Sequence, residues 1–364
     1  MILLLTDTHF GVRNFNKSIF DEQLEYFHKI VFPYILDNNI KEVVHLGDLF
    51  DNRQNIEVLF LDYVYKKFIS FFNENKINLH LISGNHDIYY KNTNEINSLE
   101  IFKSEYIKVY SEPKIYEKNI ENYNIAIIPW LGKNEITFNR KYDIILGHFE
   151  FKDFYLNSKI IAREGYNSDK ISEYAKIVLS GHYHIKSNSK NVYYLGSPYQ
   201  LDWNDFDSVK GFHIIDNHRL KFIPNNFSTK FLKIYYNETN EKINIKISGL
   251  EPNKVINADI DNIEKIIKNN WIKIITFNII NRNLFDIFYE NILSKNQKSR
   301  IEIFSHNELK LNGENIDLDI ESINIENNIK DYISKFLDSY IQTNNKDLVK
   351  EEFINLYTIS EKEK

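Results

Sequence analysis

Short apolar runs alternate along the first hundred residues with longer stretches whose apolar positions recur every three or four residues. Residues 2–5, 43–46 and 79–82 have the form of buried strands. Between the first two, Phe20, Leu24, Phe27, Ile30, Val31 and Ile35 mark one face of a helix, with a kink or break expected at Pro33. Residues 56–75 read as a second amphipathic helix. Strand, helix, strand, helix, strand predicts a parallel sheet flanked by helices, with ligands bound beyond the carboxyl ends of the strands. Shorter runs at 125–128, 143–146, 177–179, 192–195, 211–215 and 220–223 extend this into a mixed sheet or two stacked sheets, so residues 1–226 are expected to form one α/β domain. Pro224-Asn225-Asn226 marks a boundary. Beyond it, alternating stretches at 231–235, 243–247 and 255–260 with a short helix at 263–267 predict a small α+β domain over 227–305. An acidic, Asn-rich linker is expected at 306–327. Ile329, Ile333, Phe336, Leu337, Tyr340 and Ile341 then recur at helical spacing, and Leu348, Phe353, Leu356 and Tyr357 suggest another helix within 328–364.

Composition narrows the classes. With 364 residues the chain exceeds one comfortable hydrophobic core, and 43% apolar with 15% aromatic residues describes a folded protein. The absence of cysteine excludes disulfides, thiolate zinc sites and a cysteine nucleophile, so any metal must be held by oxygen and nitrogen. There is no signal-peptide pattern at the start, and no apolar run reaches the roughly 18 to 20 residues of a membrane helix, so a soluble, cytoplasmic protein is expected. The net charge of −6 is unlike the basic footprint of a nucleic-acid binder.

Candidate chemistry sits where the apolar runs end. Asp7-Thr8-His9, Gly47-Asp48, Gly84-Asn85-His86-Asp87, Gly147-His148 and Gly181-His182-Tyr183-His184 each follow such a run. Any one of them occurs by chance in many chains; five in order do not. In an extended segment residues i and i+2 point the same way, so Asp7 with His9, and His182 with His184, are expected to present two side chains to one pocket. Gly47, Gly84, Gly147 and Gly181 permit sharp turns after the strands. Carboxylate and imidazole donors suit manganese, iron or zinc, and two cations about 3.5 to 4 Å apart are suited to phosphodiester hydrolysis. His86 is set apart as a non-ligand whose ring Asp87 holds, leaving an imidazolium for the leaving oxygen. Asp51 and Glu150 are candidates for orienting a ligand. A single histidine on an apolar strand is ordinarily a satisfied core residue, and His45, His80 and His213 are assigned so. Arg13, Arg53 and Tyr89 lie near the motifs, where phosphate contact or base stacking is the alternative, and are read as ordinary surface residues.

The ordered motifs resemble the calcineurin-like metallophosphoesterase superfamily. Tyr194-Leu195-Gly196-Ser197-Pro198 is similar to its nuclease branch, the SbcD-type subunit of double-strand-break repair complexes. Lys210-Gly211-Phe212 and Phe222-Ile223-Pro224-Asn225-Asn226 resemble the T-even-type phage members, the recombination endonuclease subunits. That resemblance implies a four-layer sandwich, a small capping domain that helps hold DNA, and C-terminal helices that dock on an SMC-like ATPase. It implies one metal held by Asp7, His9, Asp48 and His184, a second by Asp48, Asn85, His148 and His182, and His86 as the catalytic histidine. The cofactor implied is a pair of divalent ions, Mn2+ foremost. A homodimer acting on DNA as exonuclease and endonuclease is implied as well. Two other readings use the same residues: a small-substrate phosphodiesterase or phosphatase, which does not need the chain beyond 226, and a non-catalytic scaffold, against which all seven ligand positions and His86 are filled.

Overall fold

The five apolar runs that lead into the motifs each form a strand. In this computed structural model, which describes residues 1–306 except 91–92, 133, 157–159, 240–242, 259–262, 264–265 and 297–299, the first strands are β1 Ile2–Leu5, β2 Glu42–His45, β3 Asn78–Ile82, β4 Ile88–Tyr90, β5 Thr93–Asn97, β6 Ile107–Tyr110 and β7 Tyr116–Ile120. They are followed by β8 Tyr123–Ile128, β9 Tyr142–His148, β10 Ala175–Gly181, β11 Ser187–Ser189, β12 Val192–Tyr194, β13 Gly211–Asp216 and β14 Arg219–Pro224. One six-stranded sheet has the order β14-β13-β1-β2-β3-β6 and a second the order β11-β12-β10-β9-β8-β7. Within them β1, β2, β3 and β6 run parallel, as do β8, β9, β10 and β12. The strands that carry the motifs are therefore central in both sheets.

Alternation of side chains decides the layers. Ile2, Leu4, Val44, Leu46 and Ile82 point to one face of the first sheet and meet Ile125, Ile127, Ile144, Leu146 and Leu179 of the second. Their neighbours Leu3, Leu5, Val43, Leu79 and Leu81 face the other way, onto Phe20, Phe27, Phe68 and Phe72 of the helices. Strands buried on both faces read as unbroken apolar runs, which is why they are visible in sequence. The outer face of the second sheet is covered by Phe149, Phe151, Phe154 and Tyr183, with the short helix Ser168–Ser172 beside them, so this fourth layer is mostly irregular chain. The result is the mixed α/β sandwich expected.

Pro33 does not break the first helix. Lys17–Tyr26 widens into a π turn at Phe27–Val31 and continues as Phe32–Asp37, with Pro33 in the first turn of that last piece. A proline cannot donate to the carbonyl four residues back, and a wider turn relieves the clash without ending the helix. The second helix shows the same device, as Val58–Val64, Tyr65–Ile69 and Ser70–Glu74.

A third sheet has the order β17-β16-β15-β18-β19, from β15 Phe231–Glu238, β16 Ile243–Ser248, β17 Val255–Ala258, β18 Trp271–Thr276 and β19 Ile301–Ser305. A helix at Arg282–Lys295 packs Phe285, Phe288 and Ile292 on its core. β18, β19 and this helix escape the sequence reading because Lys273 interrupts one strand and the helix mixes polar residues into its apolar face. Met1–His306 forms one compact unit in which the third sheet keeps its own core. Arg13 lies 4.0 Å from the ring of Trp271, and Arg300 donates to Glu22 and to Ser18. The expected linker beyond His306 and the C-terminal helices of 328–364 lie outside the described residues, as does part of the 263–267 helix.

The histidines assigned to the core are buried. His80 is hydrogen-bonded to Tyr110 and Glu42. Burial, with a smaller contribution from the charge of Lys186, pushes His213 down to about 3. Its neutral form is thus favoured in the folded state, so the stability it contributes is present above about pH 6.5 and is lost as pH falls toward 3. His213→Phe is expected to flatten the acid limb of a thermal-denaturation series between pH 7 and 4. An unchanged acid limb would show that His213 does not take part.

Candidate metal centre

The strand ends deliver their ligands on a strained backbone. Asp7, His9, Asp48 and His182 all have positive φ, at 52°, 44°, 56° and 93°. Such conformations cost non-glycine residues of order 1–3 kcal/mol each and persist where the surroundings over-determine them. Here backbone bonds between loops do so: Asp7 donates to Gly47 O (3.0 Å), His9 to Asp48 O (3.1 Å) and Phe10 to Leu49 O (2.9 Å). The extended geometry assumed for Asp7–His9 and His182–His184 is therefore corrected. His182 and His184 turn to different neighbours.

Three donor groups result among the described residues: His9, Asp51 and His86 form one at the edge of the site, and Asp48 lies between the other two. Asp7, His9 and His184 bring one ligand atom each within 4.8 Å of one another, and Asp48, His148 and His182 do the same. Asp48 Oδ2 lies 3.3 Å from His148 Nε2 and 3.7 Å from His9 Nε2. Asn85 Oδ1 completes the second group, 3.0 Å from His148 Nε2 and 2.9 Å from His182 Nδ1. The His148 tautomer is set from outside: its Nδ1 donates to Leu46 O at 2.7 Å, which turns Nε2 inward. In the first cluster His184 Nε2 faces His9 Nε2 at 3.1 Å. Carboxylate, amide and imidazole groups converging from separate loops are the donor set a divalent ion satisfies, once the protons on His9 and His148 give way to it.

The electrostatics are those of charges held out of water. Burial raises the Asp7 carboxyl, and the neighbouring Asp48 adds to this. For Asp48 burial works in the same direction, but His148 and His9 outweigh it and hold the carboxylate well below its ordinary value. Burial would lower His9 and His148, yet the Asp51 bond and Asp48 charge raise the first to about 9, and Asp48 raises the second to about 9. Burial, reinforced by His148, takes His182 down to about 3.

Asp87 has a different role from the one expected. Its carboxylate accepts from the backbone amides of Asp48 (2.8 Å), Leu49 (3.0 Å), Phe50 (3.3 Å) and Gly84 (2.9 Å). It staples the two loops that carry Asp48 and Asn85; burial and the Asp48 charge raise it to about 7. The His86 ring is held instead by the Asp51 carbonyl, which accepts from Nδ1, while the His86 amide donates to Asp48 Oδ1 at 2.8 Å. The Asp51 carboxylate lies 3.2 Å from His9 Nδ1, so this residue orients two histidines. Glu150 is exposed and joins neither cluster. Arg13 packs on Trp271.

Trp130 was not legible in the sequence. Its half-buried indole lies 5.2 Å from the His182 ring and 6.0 Å from that of His148, walling one side of the second cluster. Its only signal is its place just after the apolar run of β8.

The glycines matter mostly for space. Gly47 has φ 105°, but a Cβ on Gly84 would meet Asp48 Oδ1 at 2.2 Å and the Asp48 amide nitrogen at 2.5 Å. Gly84→Ala is expected to lose about 1–3 kcal/mol of stability by overpacking and to weaken metal binding by displacing Asp48. Thermal melts with and without metal check both effects.

Residues 1–186 match the calcineurin-like phosphoesterase family. The chain belongs to that family. This phosphoesterase is 32% identical over 245 residues to exonuclease subunit 1 of Enterobacteria phage T4, an alignment covering 65% of this chain and 70% of the relative. It is 25% identical over 262 residues to the DNA double-strand break repair protein Mre11 of Nanoarchaeum equitans, covering 64% and 71%. Among solved structures, a protein of unknown function from Aquifex aeolicus aligns with a TM-score of 0.27 and 16% identity, over 52% of this chain and 82% of its own. The phosphoesterase family uses divalent metals, in keeping with the donor clusters. Among the described residues no helix is long and apolar enough to cross a membrane.

Proposed function

We propose that this phosphoesterase is a manganese-dependent DNA nuclease, both exonuclease and endonuclease, that acts in recombination and double-strand-break repair with an SMC-like ATPase subunit. The observation that carries this reading is the placement of Asp48 between two donor clusters, in a chain similar to an exonuclease subunit and to a break-repair protein. Asp7, His9, Asp48 and His184 would hold one cation, and Asp48, Asn85, His148 and His182 the other, with Asp48 shared. Bound there, two divalent ions supply Lewis acidity to the phosphoryl oxygens and activate water as the nucleophile.

The chain's own groups do the rest. His86 presents Nε2 to the site because a carbonyl can only accept, so Nδ1 carries the proton given to Asp51 O. When doubly protonated, Nε2 can donate to the departing oxygen of the cleaved strand. Trp130 limits access of solvent to the second cluster from its side. The five-stranded sheet of 231–305 serves as the capping domain that helps hold DNA, and residues 328–364 as the segment docking on the ATPase. Such a partner adds phosphate contacts to a chain whose net charge is −6. The protein acts as a homodimer in the cytoplasm of the cell, or of the host.

An end-labelled linear duplex tests this. Degradation is expected with Mn2+ and none after chelation. DNA left intact both with and without the ATPase subunit, while a small phosphodiester is hydrolysed, would overturn the nuclease reading and favour a small-substrate phosphodiesterase.

A further inference from the structure

A buried ion pair stands directly behind His184. Asp205 is 1% exposed and Lys210 5% exposed. Lys210 Nζ lies 2.6 Å from Asp205 Oδ1 and donates at the same distance to the backbone oxygen of His184. Asp205 Oδ2 accepts from the Leu201 amide at 2.8 Å and sits 3.8 Å from His184 Nδ1, in ion-pair range and beyond hydrogen-bond length. Because His184 Nε2 faces His9, Nδ1 is the nitrogen turned outward, toward this carboxylate.

Replacing a buried pair by apolar side chains of similar volume is often neutral or stabilising, so stability alone gives little reason for two buried charges here. Position gives one. The Ser197 amide also donates to His184 O at 3.1 Å, and the buried Tyr199 hydroxyl donates to Thr8 O at 2.7 Å, between Asp7 and His9. One segment, 197–210, thus grips both chain pieces that build the Asp7-His9-His184 cluster. Among the described residues it makes no hydrogen bond to Asp48, Asn85, His148 or His182.

We propose that Asp205 and Lys210 are positioning residues that fix His184, and that the 197–210 strap organises the Asp7-His9-His184 cation site without acting on the other. The Asp205 carboxylate keeps the His184 ring oriented with its lone pair inward, while Lys210 fixes the His184 backbone and holds the carboxylate in place. This rests on the two-cation reading above.

The test is a Mn2+ titration of the full-length, metal-free protein, followed by calorimetry and by electron paramagnetic resonance of free Mn2+. The unmodified chain is expected to take up two ions. Asp205→Asn should weaken one step by about 10- to 100-fold, the size of outer-shell effects on metal affinity, and leave the other unchanged. A purely structural role would instead lower the melting temperature of the metal-free protein and weaken both steps together. That result, or two unaltered steps, overturns the proposal. Should Asp205→Asn fail to fold, Tyr199→Phe, which removes one hydroxyl, decides: selective weakening of the same step supports the strap, and no change overturns it. If the unmodified chain binds fewer than two ions, the two-cation reading itself falls and takes this proposal with it.

Discussion

His86→Asn is expected to slow DNA hydrolysis by about 10²- to 10⁴-fold, the usual range for a positioned general acid, while two metal ions remain bound. The separation of the two effects follows from geometry. His86 contributes its ring to neither Asp7-His9-His184 nor Asp48-His148-His182. Its amide, which donates to Asp48 Oδ1, survives any side-chain substitution, so Asp48 keeps that anchor. The ring packs edge-on to His9 at 4.9 Å and approaches His9 and Asp51, but Asp7, His184, Asp48, His148 and His182 keep their places around the two sites when asparagine replaces it. Single-turnover cleavage of labelled duplex, beside metal content of the same preparation, measures both. Full activity in the variant would remove His86 from the chemistry; loss of a metal ion would make it a structural support for the site.

Asp48→Asn should have the larger effect, because the lost oxygen charge serves both clusters. Metal content is expected to fall below one ion per chain and hydrolysis to become undetectable. Stability without metal should fall as well. Asp48 adds to the burial that raises Asp7 and Asp87, but His148 and His9 more than offset its own burial and hold its carboxylate well below the ordinary value. Its charge therefore stabilises the metal-free fold at neutral pH, and the metal-free variant is expected to melt below the metal-free unmodified protein. It should also lose the stabilisation by metal, which for a single site amounts to about 2.7 kcal/mol at a hundredfold excess over Kd. Melts with and without Mn2+ give both numbers. Two ions still bound by Asp48→Asn would end the shared-ligand account.

How much of this was readable in advance differs from residue to residue, for a consistent reason. Leu3, Val43, Leu79, Ile145 and Val178 lie on strands buried on both faces, so each strand had to be apolar along its length and announced itself. The ends of those strands had to carry polar groups at the only places where the chain leaves the core, and that put Asp7, Asp48, His86, His148 and His182 in view. Asp205 and Trp130 sit in no such pattern, and although Asp87 and Lys210 stand in motifs, the motifs do not say which backbone groups they hold. These residues act on segments brought together only by folding, and nothing local distinguishes Asp205 from Asp202.

The amino-acid sequence by itself determined the α/β class, the buried strands that lead into the motifs and the set of side chains brought to their ends, since periodic burial and local turn chemistry are written residue by residue. Only the tertiary structure decided that His182 and His184 part company, that Asp87 ties loops and does not hold the His86 ring, and that one strap reaches behind His184. Those choices depend on left-handed backbone at the ligands and on hydrogen bonds between segments as far apart as Tyr199 and Thr8, which pattern along a chain does not encode.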